Sequence, residues 1–211
     1  MLYAALSMRS NPSAADLSFS QPDHPLPLAG NGIVLRRLTT ADLTAFQAYR
    51  CNADVGRYQG WSATSDAQAI SFLAEMKRAT LFEPGEWCQI GIADTSTLEL
   101  IGDIGLWVSE DEQNAEIGFT LSPLRQGWGL ATTAVRLAVQ IVFEQTKAMQ
   151  VQGITDARNV PSLRLLERIG MRRVETRSAM FRDEPCVEYV YTISRDEMQA
   201  SDTVPKPQNQ L

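Results

Sequence analysis

Residues 114–131 read Asn114-Ala115-Glu116-Ile117-Gly118-Phe119-Thr120-Leu121-Ser122-Pro123-Leu124-Arg125-Gln126-Gly127-Trp128-Gly129-Leu130-Ala131, and three local patterns succeed one another within them. Asn114 to Leu121 is a β-type run. Arg125 to Gly129 is a short loop with glycines at 127 and 129, and from Ala131 onward Val135, Ala138 and Val142 recur at helical spacing. The first turn of a helix leaves N–H groups without intrahelical partners, and the helix dipole adds partial positive charge at the same end. Glycines let the backbone approach a ligand closely and take positive φ. Strand, glycine loop and long helix in that order make an anion cradle suited to a pyrophosphate. Neither G-x-x-x-x-G-K-[ST] nor G-x-G-x-x-G is present, so ATP and dinucleotide binding lose their main support.

Working outward, the pattern predicts a first strand over Ile33 to Leu38, a helix opened by Thr40, and a helix from Ser65 to Arg78. Strands follow at Trp87 to Ala93, Leu98 to Val108 and Asn114 to Leu121, joined by polar turns that indicate an antiparallel meander. Beyond the long helix come a strand at Val151 to Thr155, a helix from Asn159 to Arg168 with Pro161 in its first turn and Gly170 as its stop, and strands at Met171 to Met180 and Pro185 to Ile193. The expected class is α/β (α+β): a mixed, mostly antiparallel sheet of six to seven strands flanked by about four helices. Prolines and small polar residues mark residues 1–32 as a flexible arm and 199–211 as a flexible tail, leaving one domain over 33–198.

The chain of 211 residues carries 19 Lys and Arg against 25 Asp and Glu, a net charge of −6, which argues against nucleic acid as a partner. The window 150–182 departs from that average: its seven arginines, at 158, 164, 168, 172, 173, 177 and 182, face three acidic residues, a net of +4. Arg125 and Arg158, each beside a ligand-type motif, are the expected phosphate contacts. The odd, dispersed cysteines Cys51, Cys88 and Cys186 read as reduced thiols, and His24 is the only histidine, so no metal site and no Ser-His or Cys-His pair is expected. The start lacks the basic residue of a secretory signal and no window suits a membrane span, so a cytoplasmic protein without a membrane partner is expected.

Gln126-Gly127-Trp128-Gly129-Leu130-Ala131 resembles the Q/R-x-x-G-x-G/A signature of the GNAT superfamily of acetyl-coenzyme A-dependent N-acetyltransferases. The context strengthens the resemblance, because Asn159-x-x-Ser162 and Gly170-Met171 follow the next strand, and it extends over Ile33 to Ile193. It looks closest to the branch holding ribosomal-protein N-terminal and many small-amine acetyltransferases. The resemblance implies acetyl-CoA as cosubstrate, with main-chain amides of Gln126, Gly127, Trp128, Gly129, Leu130 and Ala131 on the pyrophosphate, and Phe119 and Leu121 along the pantetheine arm. Asn159 then orients that arm, or only caps its helix.

Such a transfer needs a neutral amine, support for an oxyanion and a proton for the thiolate. A primary amine with pKa near 10.4 is protonated at neutral pH, so a base is required. Glu116 is the expected base, with a structural ion pair as its alternative, and a strand amide near Phe119 to Leu121 would meet the oxyanion. Many family members place a proton-donating tyrosine seven residues after the motif asparagine, where this chain has Leu166. The role shifts to Ser162 or to water, unless Ser162 merely bonds its own helix. The region from Arg50 to Arg78, with Tyr58, Trp61 and Asp66, would face the acceptor: a small amine, an antibiotic or a peptide N-terminus. A monomer or homodimer is expected. An acyl-CoA sensor without activity is the competing function, and an unrelated nucleotide-binding α/β domain the third.

Overall fold

Alternating apolar residues turn the middle of the chain into adjacent strands, and a computed structural model describes residues 25–203. Eight strands, β1 (Leu28–Gly30), β2 (Ile33–Arg37), β3 (Trp87–Asp94), β4 (Leu100–Val108), β5 (Asn114–Leu121), β6 (Gln150–Asp156), β7 (Arg172–Phe181) and β8 (Glu184–Ser194), form one sheet in the order β1-β2-β3-β4-β5-β6-β8-β7. All neighbours are antiparallel except β5 and β6. Among the described residues there are six α-helices: α1 (Leu43–Arg50), α2 (Ala53–Gly56), α3 (Asp66–Arg78), α4 (Leu130–Gln145), α5 (Val160–Arg168) and α6 (Arg195–Thr203).

The expected class is correct, and the strand and helix counts are each too low. The additional strand is β1, inside the segment expected to be an arm. Three residues are too few to show a period, but Asn31 and Gly32, with Gly32 at φ 76°, turn β1 back onto β2. The additional helices are α2, a single turn capped by Asn52, and α6, which runs from the end of β8 to Thr203, past the expected tail boundary at 199. Residues 1–24 and 204–211, which hold the rest of the arm and tail, lie outside the described residues.

Alternation on β4 decides what covers each face. Ile104 and Leu106 point to the face on which α4 lays Ala134, Val135, Ala138 and Val142, all nearly inaccessible, while Asp103 points the other way, to α1. There α1 and α3 bury Phe46, Tyr49, Leu73 and Met76 over Leu38 and Leu100. Asp103 is 1% exposed and accepts from Tyr49 Oη at 2.5 Å, Gln89 Nε2 at 2.8 Å and Arg50 Nη2 at 2.9 Å. A buried carboxylate with three donors is satisfied, and removing Arg50 would leave its charge uncompensated.

The parallel pairing of β5 with β6 covers only Asn114 to Glu116 against Gln150 to Gln152. Beyond Glu116 the two strands separate, and the sheet opens as a V. That split positions everything described below.

Candidate active site

The open end of the V is a cleft of about 670 Å³, lined by Glu116 to Leu121 of β5, by Gln126, Gly127 and Gly129 to Thr132, by Gly153 to Thr155 of β6, by α5 and by Asp54, Val55, Tyr58 and Gln59. In a strand, a residue's N–H and C=O point to the same side. Phe119 and Leu121 aim theirs into the cleft, where no strand pairs with them: Gln59 Nε2 donates to the Phe119 carbonyl at 3.3 Å and Gln126 Nε2 to the Leu121 carbonyl at 3.0 Å. Two side-chain amides thus stand where an amide-containing chain laid along β5 would make its bonds.

At the end of β5 the chain passes through a 3-10 turn, Pro123–Arg125, into the glycine loop. Gly127 and Gly129 have φ of 83° and 79°, and a Cβ on either would meet nothing within 4 Å. Their role is conformational: positive φ lets the chain turn from the end of β5 into α4 along the cleft. Thr133 N–H bonds back to Gly129 O at 3.1 Å and begins the ladder of α4. The amides ahead of it face an open cavity at the positive end of a helix of 16 residues. A diphosphate fits this cradle in chemistry and in space.

The expected cations lie elsewhere. Arg125 pairs with Asp94 at 3.1 Å, and Arg158 grips Asp156 through Nε at 2.9 Å and Nη2 at 2.7 Å; neither lines the cleft. Asp156 in turn holds Arg158 strongly protonated and is itself lowered by that hydrogen bond. Trp128 is likewise outside the lining, with its side chain 81% exposed. Arg164 and Arg168, one turn apart on α5, do line the cleft and make no ion pair among the described residues. The sequence signal for them was available: α5 turns Leu165, Leu166 and Ile169 to the core, so 164 and 168 share the opposite side.

Glu116 is the last β5 residue paired with β6, so its side chain sits where the V begins. It is opposite Trp107 on β4 and accepts from Gln152 Nε2 at 3.0 Å. Burial pushes its carboxyl above the usual range, with the Gln152 hydrogen bond and the nearby Arg177 acting in opposition. A base of raised pKa on the wall of a cleft is suited to take a proton.

Across the split, Asn159 Oδ1 accepts from Ser162 N–H at 3.4 Å and caps α5. Ser162 lines the cleft, and among the described residues its hydroxyl has no hydrogen-bond partner. Leu166, at the position where the resemblance expects a tyrosine, is 1% exposed and packs onto β6 so closely that a Cβ at Gly153 would lie 2.9 Å from it.

The remaining wall is the segment around α2. Tyr58 and Gln59 line the cleft, whereas Trp61 covers the buried Arg50 guanidinium at 4.3 Å and Asp66 accepts from Gln47 at 3.1 Å at the start of α3. Arg182, at the tip of the β7–β8 hairpin, donates through Nη2 to the carbonyls of Gly56 at 3.1 Å, Gln59 at 3.3 Å and Trp61 at 3.1 Å. The wall therefore spans the V, from Phe119 on one arm to Arg182 on the other. Gln59 and Arg182 escaped sequence-based expectation because these contacts join residues 60 or more positions apart. Among the described residues no group of three or more metal-ligating side chains occurs, and no helix is long and apolar enough to cross a membrane.

A split sheet with a glycine cradle between β5 and α4 is the architecture of an acetyltransferase domain, and residues 33–172 match the family model described as Acetyltransferase (GNAT) domain. The chain belongs to the GNAT acetyltransferase family. It is similar to YoaA of Bacillus subtilis, an uncharacterized N-acetyltransferase, with 29% identity over 143 residues that make up 67% of this chain and 80% of that one. Its fold is that of a GNAT-family acetyltransferase from Bacillus anthracis, at a TM-score of 0.72 and 22% identity over 80% of this chain and 98% of the other. The spermidine N-acetyltransferase of Vibrio cholerae, solved with CoA and spermine, matches at a TM-score of 0.69 and 17% identity, covering 80% of this chain and 98% of its own.

Proposed function

We propose that the protein is an N-acetyltransferase that moves the acetyl group of acetyl-CoA directly to a primary amine held in the same cleft. The observation that carries this reading is the edge of β5 that no strand pairs, flanked by an anion cradle at one end and a half-buried carboxylate at the other. The edge suits the two amides of a pantetheine arm, and the amides of Gly127 to Ala131 suit the pyrophosphate. Arg164 and Arg168 replace Arg125 and Arg158 as the phosphate cations, because a guanidinium already engaged by a carboxylate has little left to offer.

Glu116 takes the proton from the acceptor ammonium, directly or through a water, and leaves the nitrogen free to attack the thioester carbonyl. A main-chain N–H of Phe119 or Leu121 stabilises the oxyanion. As the C–S bond breaks, the thiolate receives a proton from Ser162 or water, and the proton that the attacking nitrogen gives up as the amide forms restores that donor. Leu166 removes the tyrosine alternative, and the unpartnered hydroxyl of Ser162 favours it for this step. Holding both substrates in one cleft contributes roughly 7 to 11 kcal/mol, so a modest acid suffices.

The acceptor is a cationic amine: a polyamine, an aminated antibiotic or a peptide N-terminus. The net charge of −6 and Asp54 in the acceptor wall support a cation, as does the spermine in the solved neighbour. The cytoplasm, where acetyl-CoA is available, is the proposed location. A thiol-release assay with acetyl-CoA across polyamines, aminoglycosides and N-terminal peptides tests the activity. Acceptor-dependent thiol is expected, and coenzyme binding with no transfer to any amine would favour the inactive acyl-CoA sensor.

A further inference from the structure

The carbonyl of Phe119 raises a question of occupancy. It is a strand-edge acceptor that no neighbouring strand pairs, and on the reading above it is one of the groups that would pair with a pantetheine amide. In the free protein its donor is the Gln59 carboxamide, a primary amide N–H of the same chemical kind. Gln59 does not reach in from a mobile tip. Its own carbonyl is held by Arg182, its neighbour Tyr58 lines the cleft, and two residues on Trp61 covers Arg50. The side chain that caps the donor strand therefore belongs to the acceptor wall.

We infer that Gln59 is a positioning residue that couples the two substrates: it occupies the Phe119 carbonyl until the pantetheine arm displaces it, and its release frees the acceptor wall from β5. This rests on the coenzyme reading of the cleft. The donor then enters first, and the acceptor meets a wall held by Arg182 and by the Trp61–Arg50 contact but no longer by the edge of β5. The exchange is nearly balanced, since one amide–carbonyl bond replaces another. A protein bond that must break before binding lowers affinity by about its net strength.

Gln59→Met keeps the length of the side chain and loses the donor; Gln59→Ala removes both. Titration calorimetry with two ligands separates competition from a general loosening. Coenzyme A carries the pantetheine amides, while adenosine 3′-phosphate 5′-diphosphate keeps the phosphates and lacks them. Both variants are expected to bind coenzyme A about three- to tenfold more tightly than the parent and the adenosine nucleotide equally well. Equal shifts for both ligands, no shift, or weaker binding of coenzyme A overturns the role of Gln59. If the parent binds neither ligand, the coenzyme reading itself falls, so the two failures are distinct. Melting temperatures of both variants report whether they fold, and Gln59→Met carries the test if Gln59→Ala does not.

Discussion

The loop from Gln126 to Ala131 and the segment from Asn52 to Trp61 face each other across one cleft, and they owe their shapes to different forces. The first is fixed locally, by two glycines at positive φ, a 3-10 turn and the start of α4. The second contains one helical turn and is held by contacts to other elements, from Arg182 of the far hairpin and from its own Gln59 to the Phe119 carbonyl of β5. A wall made by its own backbone can serve a donor whose phosphates and amides do not vary. One held by remote side chains can change with the acceptor while the donor side stays intact.

The comparison breaks most visibly at Glu116, the carboxylate at the end of the β5 edge away from the glycine loop. Glu116→Gln is expected to lower kcat by about 100-fold or more, as for loss of a general base, while coenzyme A affinity stays within about twofold. Burial raises the Glu116 pKa, so its ionised form is disfavoured in the fold and is a cost to stability above that pKa. The neutral carboxamide of the variant would remove that cost, and the melting temperature at neutral pH should not fall. For activity the sign is opposite, because the base works only when ionised. The parent rate should therefore fall with acidification through a midpoint above the usual carboxylate range, and the variant should lose that limb and keep only the titration of the acceptor amine. A profile with the same limb in both proteins would remove Glu116 from the proton path.

The donor wall should fail through its backbone. Gly129→Val places a β-branched residue at φ 79°, a strain of roughly 1 to 2 kcal/mol or more, and coenzyme A affinity is expected to drop about tenfold by calorimetry. The acceptor wall should fail through its remote anchor. Arg182→Ala removes the link to three carbonyls, and the expected result is an acceptor KM about threefold higher with no loss of coenzyme A affinity. If Arg182→Ala weakens coenzyme binding as much as Gly129→Val, the two walls are not independently built.

That difference also accounts for how much the sequence disclosed. The meander, the long helix and the Asn159 cap were legible because period, glycine placement and capping act within a few residues; β5 runs over the expected Asn114–Leu121. The placement of Glu116 on a strand and of Ser162 in a capped first turn was legible for the same reason, since both follow from local pattern. The missed strand β1 has three residues, and the missed helix α2 has four, too short for a period to form. Charge alone does not show pairing: Arg125 and Arg158 are close in sequence to the ligand motifs, and in space they pair with Asp94 and Asp156. Gln59 and Arg182 carry no local signal, because their partners are distant in the chain.

The donor site itself is tested by calorimetric titration of coenzyme A into the parent and two double variants, Arg164→Glu with Arg168→Glu and Arg125→Ala with Arg158→Ala. One coenzyme A per chain is expected in the parent, binding at least tenfold weaker in the α5 pair, and affinity within about twofold of the parent in the other. No binding by the parent, or a loss confined to the Arg125 and Arg158 pair, would contradict the account.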